Sequence, residues 1–218
     1  MTERQMRTLN EHSAILNPER LTITGPDGEL YRGADQDWFP DFWQQRAGCG
    51  PTAAALLVAY LAQKPGLEAL YPGRAMDREH FTGLMCRVWE HVTPGSHGLN
   101  KPEKFVEGLA SYGAAAGVPL SPVLMELPAA YTKRPSFAEY AAFLRACLDA
   151  DCPVAFLNLH NGKEKRLDRW HWVTVIALDG EEAVILDSGR ELSVNLALWR
   201  DTSKKRGGFV GFPRGVGA

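Results

Sequence analysis

Apolar residues run without a polar break from Ala53 to Ala62, directly after the string GCGPT, so the pattern predicts a helix over about 50–62 that is buried all round. Residues 77–92 differ: Phe81, Leu84, Met85, Val88, Trp89 and Val92 recur at helical spacing on one face only, and Phe137, Tyr140, Ala141, Leu144 and Leu148 repeat that pattern. A further helix is expected over 102–116, opening on Pro102 and closing near Gly113 and Gly117. After Pro153 the period shortens. PVAFLNL, HWVTVIAL, EAVILD and GGFVGF are β-branched or aromatic, and Asn-Gly and Asp-Gly turns punctuate them, which predicts an antiparallel sheet. Residues 20–31 alternate around Gly25, Pro26, Asp27 and Gly28 and predict a short hairpin. The aromatic DWFPDFW that follows is expected to pack over the body or line a groove.

Helices first and strands last give an α+β class with the two kinds of element segregated. At 218 residues and 45% hydrophobic content the chain can bury one substantial core. The expected organisation is a single domain: an N-terminal arm and hairpin over 1–43, a helical insertion over 64–150, and the sheet over 153–213. The formal charge of -2 is spread without any block of like sign, which argues against nucleic acid or an anionic membrane as partner. Lys204, Lys205 and Arg206 read as a solvated turn. The first residues are charged, with no apolar core of a secretory signal, and no stretch approaches the length of a membrane span, so the expected compartment is the cytoplasm. Cys49, Cys86, Cys147 and Cys152 lack metal-ligand spacing and suit reduced thiols; no HExxH or carboxylate cluster points to a metal, and no cofactor is implied.

Cys49 stands between Gly48 and Gly50 at the expected start of the buried helix. A helix start stabilises a thiolate through its free N–H groups and positive dipole end, and the flanking glycines let a substrate backbone pass close to the sulfur. A lone cysteine is more often a core residue. The case for chemistry comes from the strands: His171 opens one, and Asp187 closes the next after the Asp179-Gly180 turn, so a hairpin brings carboxylate to imidazole. Asp187 is preferred over Asp179, which sits in the tight turn. His160 competes as base but has no acidic residue one hairpin away; His97 lies in a Gly-rich loop that can border a cleft. His12, His80 and His91 are expected at the surface, and Trp170 and Trp172, on either side of His171, are expected to pack. The backbone N–H of Cys49 and a glutamine just upstream, Gln45 ahead of Gln44, are the expected oxyanion donors.

Cysteine, histidine and aspartate in that order, helix-borne then sheet-borne, are the layout of papain-like cysteine hydrolases. GCGPTAAALLVAYL together with HWVTVIALDGEEAVILDSG resembles the family-39 cysteine peptidases, the leader-cleaving domains of bacteriocin exporters, and their stand-alone relatives. The resemblance covers about a fifth of the chain. It implies a papain-like fold with nucleophile Cys49, base His171, orienting Asp187 and an upstream oxyanion-hole glutamine. In that family the glutamine stands six residues before the cysteine, where this chain has Trp43. The implied activity is cleavage of a peptide or amide bond in a peptide or protein substrate. A transglutaminase, deamidase or acyltransferase on the same triad, and a non-catalytic peptide-binding module, are the alternatives.

Overall fold

A computed structural model describes residues 12–216, so the first part of the expected arm, 1–11, lies outside the described residues. The fold is α+β. Its centre is α2, Cys49–Leu61, preceded without a linker by α1, Phe42–Ala47; from Gly50 to Leu61 every residue of α2 is buried, as the uninterrupted apolar run requires. Asp41 caps α1 by accepting from the Trp43 and Gln44 amides at 2.8 and 3.3 Å. Gly48, with right-handed helical backbone angles, joins the two helices. A Cβ there would stand 2.6 Å from the Phe39 ring and closer still to the Gln44 carbonyl, so no other residue fits.

The three one-sided helices form where the periodicity puts them: α3 over Arg78–Trp89, α4 over Pro102–Ala115 and α5 over Phe137–Asp149. Ser136 and Glu139 close a capping box on α5. Residues 64–150 are nevertheless not purely helical. Val123–Leu127 is a strand, five residues between Pro122 and Pro128, too short for a helix and held extended by the proline that follows it. The expected hairpin is present as Thr22–Thr24 paired with Leu30–Arg32.

With strands numbered along the chain, β1 is His12–Ala14, β2 and β3 are that hairpin, and β4 is Val123–Leu127. Then follow β5 Val154–Asn158, β6 His171–Asp179, β7 Glu182–Asp187, β8 Arg190–Asn195 and β9 Gly207–Gly211. The main sheet runs β4-β9-β5-β6-β7-β8, with β1 also paired to the far half of β6, and every pairing is antiparallel. A short helix, α6 over Leu196–Thr202, interrupts the strands where Asn195 accepts from the Leu198 amide; the strand-only expectation for 153–213 misses it. Among the described residues no helix is long and apolar enough to cross a membrane.

The helix α2 packs along β6, so the first residue of the helix and the first residue of the strand come to the same end of the interface. Leu57 and Leu61 of α2 are fully buried. Each such side chain contributes about 1.5–3 kcal/mol by leaving water. The Gly48 junction fixes how the start of α2 is aimed, and it is testable. Gly48→Ala is expected to lower unfolding free energy by about 1–3 kcal/mol in urea titrations, because both obstructing groups are backbone or a fully packed ring. Gly95→Ala, where a Cβ meets nothing within 4 Å, serves as the neutral comparison. Equal stability of the two variants would show that the junction is not tight.

Candidate active site

Cys49 is the first residue of α2, half-buried, and no side chain caps the helix start. Of the amides in that first turn, Pro51 has none to offer and the Thr52 N–H is bound to the Gly48 carbonyl at 2.9 Å. The N–H groups of Cys49 and Gly50 therefore remain at the dipole's positive end without a side-chain acceptor.

His171 begins β6, and its Nε2 lies 2.7 Å from Asp187 Oδ1 at the end of β7. The register that sets this pairing, with Thr174 opposite Leu186, places the carboxylate one residue further along, at the sheet rim. Cys49 and the imidazole line the same small cavity, and with Nε2 engaged by the carboxylate, Nδ1 is the ring nitrogen left to serve the sulfur. Ser188 Oγ donates to Asp187 Oδ1 at 3.0 Å, from a residue at φ +48 that turns the hydroxyl back on the carboxylate. The sequence thus brings together in one place the three residues it marks out, Cys49, His171 and Asp187. Asp179 is exposed at the opposite end of β6.

Burial works against a charged imidazole at His171, but the hydrogen bonds to Asp187 and Cys49 and the negative charge of those groups outweigh it. The pKa is pushed from its ordinary 6.5 up to about 10. Asp187 shows the complementary balance. Burial opposes its ionisation, yet the hydrogen bond and charge of His171, with the Ser188 hydroxyl, hold its carboxyl below the ordinary 3.8.

The glutamines stand differently from the expectation. Gln45 turns its amide into the preceding loop, donating to the Phe39 carbonyl at 2.8 Å and the Asp37 carbonyl at 3.4 Å. Gln44 lines neither cavity that reaches Cys49. Both belong to a helix whose end is tied back to residues 36–39, and neither side chain lines the cavity shared by Cys49, His171 and Asp187. The glutamine beside the thiol is Gln36, on the short 3-10 turn Gln36–Trp38 that Asp35 caps. Its Nε2 donates to the Gln45 carbonyl at 2.7 Å, which spends one of the two amide hydrogens and anchors the side chain. With Cys49, His171 and Asp187 it lines a cavity of about 20 Å³. The sole signal for it in the sequence was a third upstream glutamine, and its separation of thirteen residues from Cys49 fits no motif because the aromatic segment between them doubles back.

On its other flank Cys49 lines a groove of about 310 Å³. His97 and Leu99 come from the Gly-rich loop, Trp43 and Arg46 from α1, and Trp170 from the residue before the imidazole. Trp172 packs as expected, stacked on Phe105 at 4.3 Å with its indole N–H on the Leu99 carbonyl at 2.7 Å. Trp170 does not pack: at φ +58 it leaves the strand direction and is 47% exposed. His160 lines neither cavity that reaches the thiol, and its Nδ1 accepts from the Gly162 and Lys204 amides at 3.0 and 3.2 Å. Burial, Arg169, Lys204 and Lys205 depress its pKa. His80 pairs with Asp77 and His91 with Ser111. Among the described residues no group of three or more His, Cys, Asp or Glu side chains is placed to hold a metal ion.

Comparison with known proteins finds no family model that matches the chain and no matching curated protein.

The coupled charges give a pH signature. The stability that His171 gains from its partners is complete below pH 6.5 and is lost as pH rises through about 10, while that of Asp187 is complete above 3.8 and is lost as pH falls below it. Asp187→Asn is expected to destabilise the protein most between these limits, and least above about pH 10, when urea midpoints are compared across pH. A uniform loss at every pH contradicts the pairing. In the same way Cys49→Ala removes one of the groups that raise His171, and its ring resonances in NMR should titrate at lower pH than in the parent protein.

Proposed function

We propose that the protein is a papain-like cysteine hydrolase that cleaves a peptide or amide bond through a thioester, related to the family-39 cysteine peptidases. The observation that carries this is a single chain of contacts from Asp187 through His171 to a thiol on an uncapped helix start. The general layout of a buried cysteine-bearing helix along an antiparallel sheet supports the fold reading.

In this reading His171 Nδ1 takes the Cys49 proton, and Sγ adds to the carbonyl carbon as the C=O electron pair moves to oxygen. That oxyanion is received by the Cys49 N–H and by the second amide hydrogen of Gln36, both fixed beforehand. The C–N bond breaks, the amine leaves with the proton held by His171, and a thioester remains on Cys49. Water gives a proton to His171 as it attacks the thioester carbonyl; the acid departs and the thiol recovers the proton. Asp187 stays ionised throughout, orienting the ring and stabilising its charged form.

Iodoacetamide at mildly acidic pH provides the test, because Cys86 is half-buried like Cys49 and serves as an internal standard. Burial raises the thiol pKa of Cys86, Cys147 and Cys152. Peptide mapping should show Cys49 alkylated first, with the rate falling by roughly 10²-fold in His171→Ala. On any fluorogenic peptide amide the protein hydrolyses, Gln36→Ala should lower kcat by roughly 10²-fold with little change in KM, while Gln44→Ala and Gln45→Ala retain near-full kcat. Labelling of Cys86 as fast as Cys49 would falsify the hydrolase reading.

A further inference from the structure

The groove on the flank of Cys49 away from Gln36 has no assigned occupant. Its walls are aromatic and aliphatic: Trp43, Leu99, Leu157, Leu159, Trp170 and Trp172. A volume of about 310 Å³ is at the small end for a ligand pocket, enough for a large side chain rather than a whole drug-sized molecule. Two of the indoles are held in costly positions. Trp43 is 43% and Trp170 47% exposed, although large apolar side chains gain by burial. Trp170 also adopts a left-handed backbone, which is strained for a bulky residue, and the strain falls on the residue next to the imidazole. Lys205 stacks on the Trp170 ring at 4.3 Å, holding the indole where it stands at the rim.

The charge of the groove is one-sided. Arg46 lines it, with its guanidinium over the exposed Phe42 ring at 5.7 Å, and His97 faces it from the loop. Among the described residues no carboxylate lines it, although the chain as a whole carries a formal charge of -2. The loop wall is fixed rather than loose: the Leu99 carbonyl is held by Trp172, and the side chain of Leu99 fills the space a Cβ on Gly50 would need, at 2.7 Å.

We propose that this groove is a subsite for a substrate peptide residue with a large apolar side chain, and that Arg46 at its rim receives an acidic neighbour of that residue. The assignment rests on the hydrolase reading, since the occupant is placed beside the thiol, and it gives that reading a substrate class: acidic peptides carrying an aromatic or aliphatic anchor next to the cleaved bond. The apolar anchor supplies most of the affinity, and the rim charge supplies a smaller, salt-sensitive preference.

Binding is measured on the Cys49→Ala protein, which keeps the groove and cannot turn over, by quenching of tryptophan fluorescence and by calorimetry. The probe is acetyl-Gly-Glu-Phe-Glu-Gly-amide. Replacing its Phe by Ser should weaken binding by roughly tenfold or more. Replacing both Glu by Lys should weaken it by about two- to fivefold, less in high salt. Trp170→Ala, a change at an exposed side chain, should erase the preference for Phe, and Arg46→Glu should reverse the preference between the Glu and Lys probes. Equal binding of the Phe and Ser probes, or an unaltered charge preference in Arg46→Glu, overturns the assignment. Because no bond is cleaved in this experiment, failure of Cys49 to act as a nucleophile leaves its result unchanged. Conversely, a reactive Cys49 with no side-chain preference removes the subsite alone.

Discussion

A charged imidazole away from water is costly, and the site of this protein is built around meeting that cost at His171. The Asp187 carboxylate on Nε2, with Cys49 on the same cavity wall, turns an unfavourable environment into one that holds the proton. Asp187 can do this only because it is itself supported, by the Ser188 hydroxyl and by the cation it faces. Remove either partner and the remaining pair is a buried charge with one side unsatisfied, a situation that costs more than the pair was worth. The three side chains are therefore a unit, and their effects on stability and on reactivity are not separable into independent parts.

The scaffold enters through direction. A helix carries its first residue at one end and a strand carries its first residue at one end; packing α2 along β6 makes those ends coincide. The junction at Gly48, too crowded for any side chain, sets the aim of the helix start, and the β6-β7 register sets where the carboxylate falls. Gln36 comes to the shared cavity from a different segment, on a capped 3-10 turn tied to α1. The site thus draws on three separate backbone segments whose relative positions depend on the buried core between them.

How far the sequence revealed this depended on how local each feature is. The all-apolar run after Gly50 could only be a buried helix, and the three one-sided helices followed from spacing alone. The Asp179-Gly180 turn made the pairing of His171 with Asp187 legible, because a hairpin fixes register through its loop. Gln36 was hidden, since its approach depends on the fold of the aromatic segment 37–43 and not on any spacing. Val123–Leu127 was hidden too: a five-residue apolar run has no distinctive period, and only its partner β9, far along the chain, makes it a strand. Trp170 looked like packing because a strand alternates, but the left-handed turn before β6 puts it outside that alternation.

The most direct measurement is a stopped-flow burst with p-nitrophenyl acetate, followed by mass spectrometry of the acid-quenched protein. If Cys49 is the nucleophile of the Asp187-His171-Cys49 unit, about one nitrophenolate per chain is released in the fast phase, and a single acetyl group is found on the peptide containing Cys49. A fast phase that is absent, or acetyl groups spread over Cys86 and surface lysines with Cys49 unmodified, contradicts it.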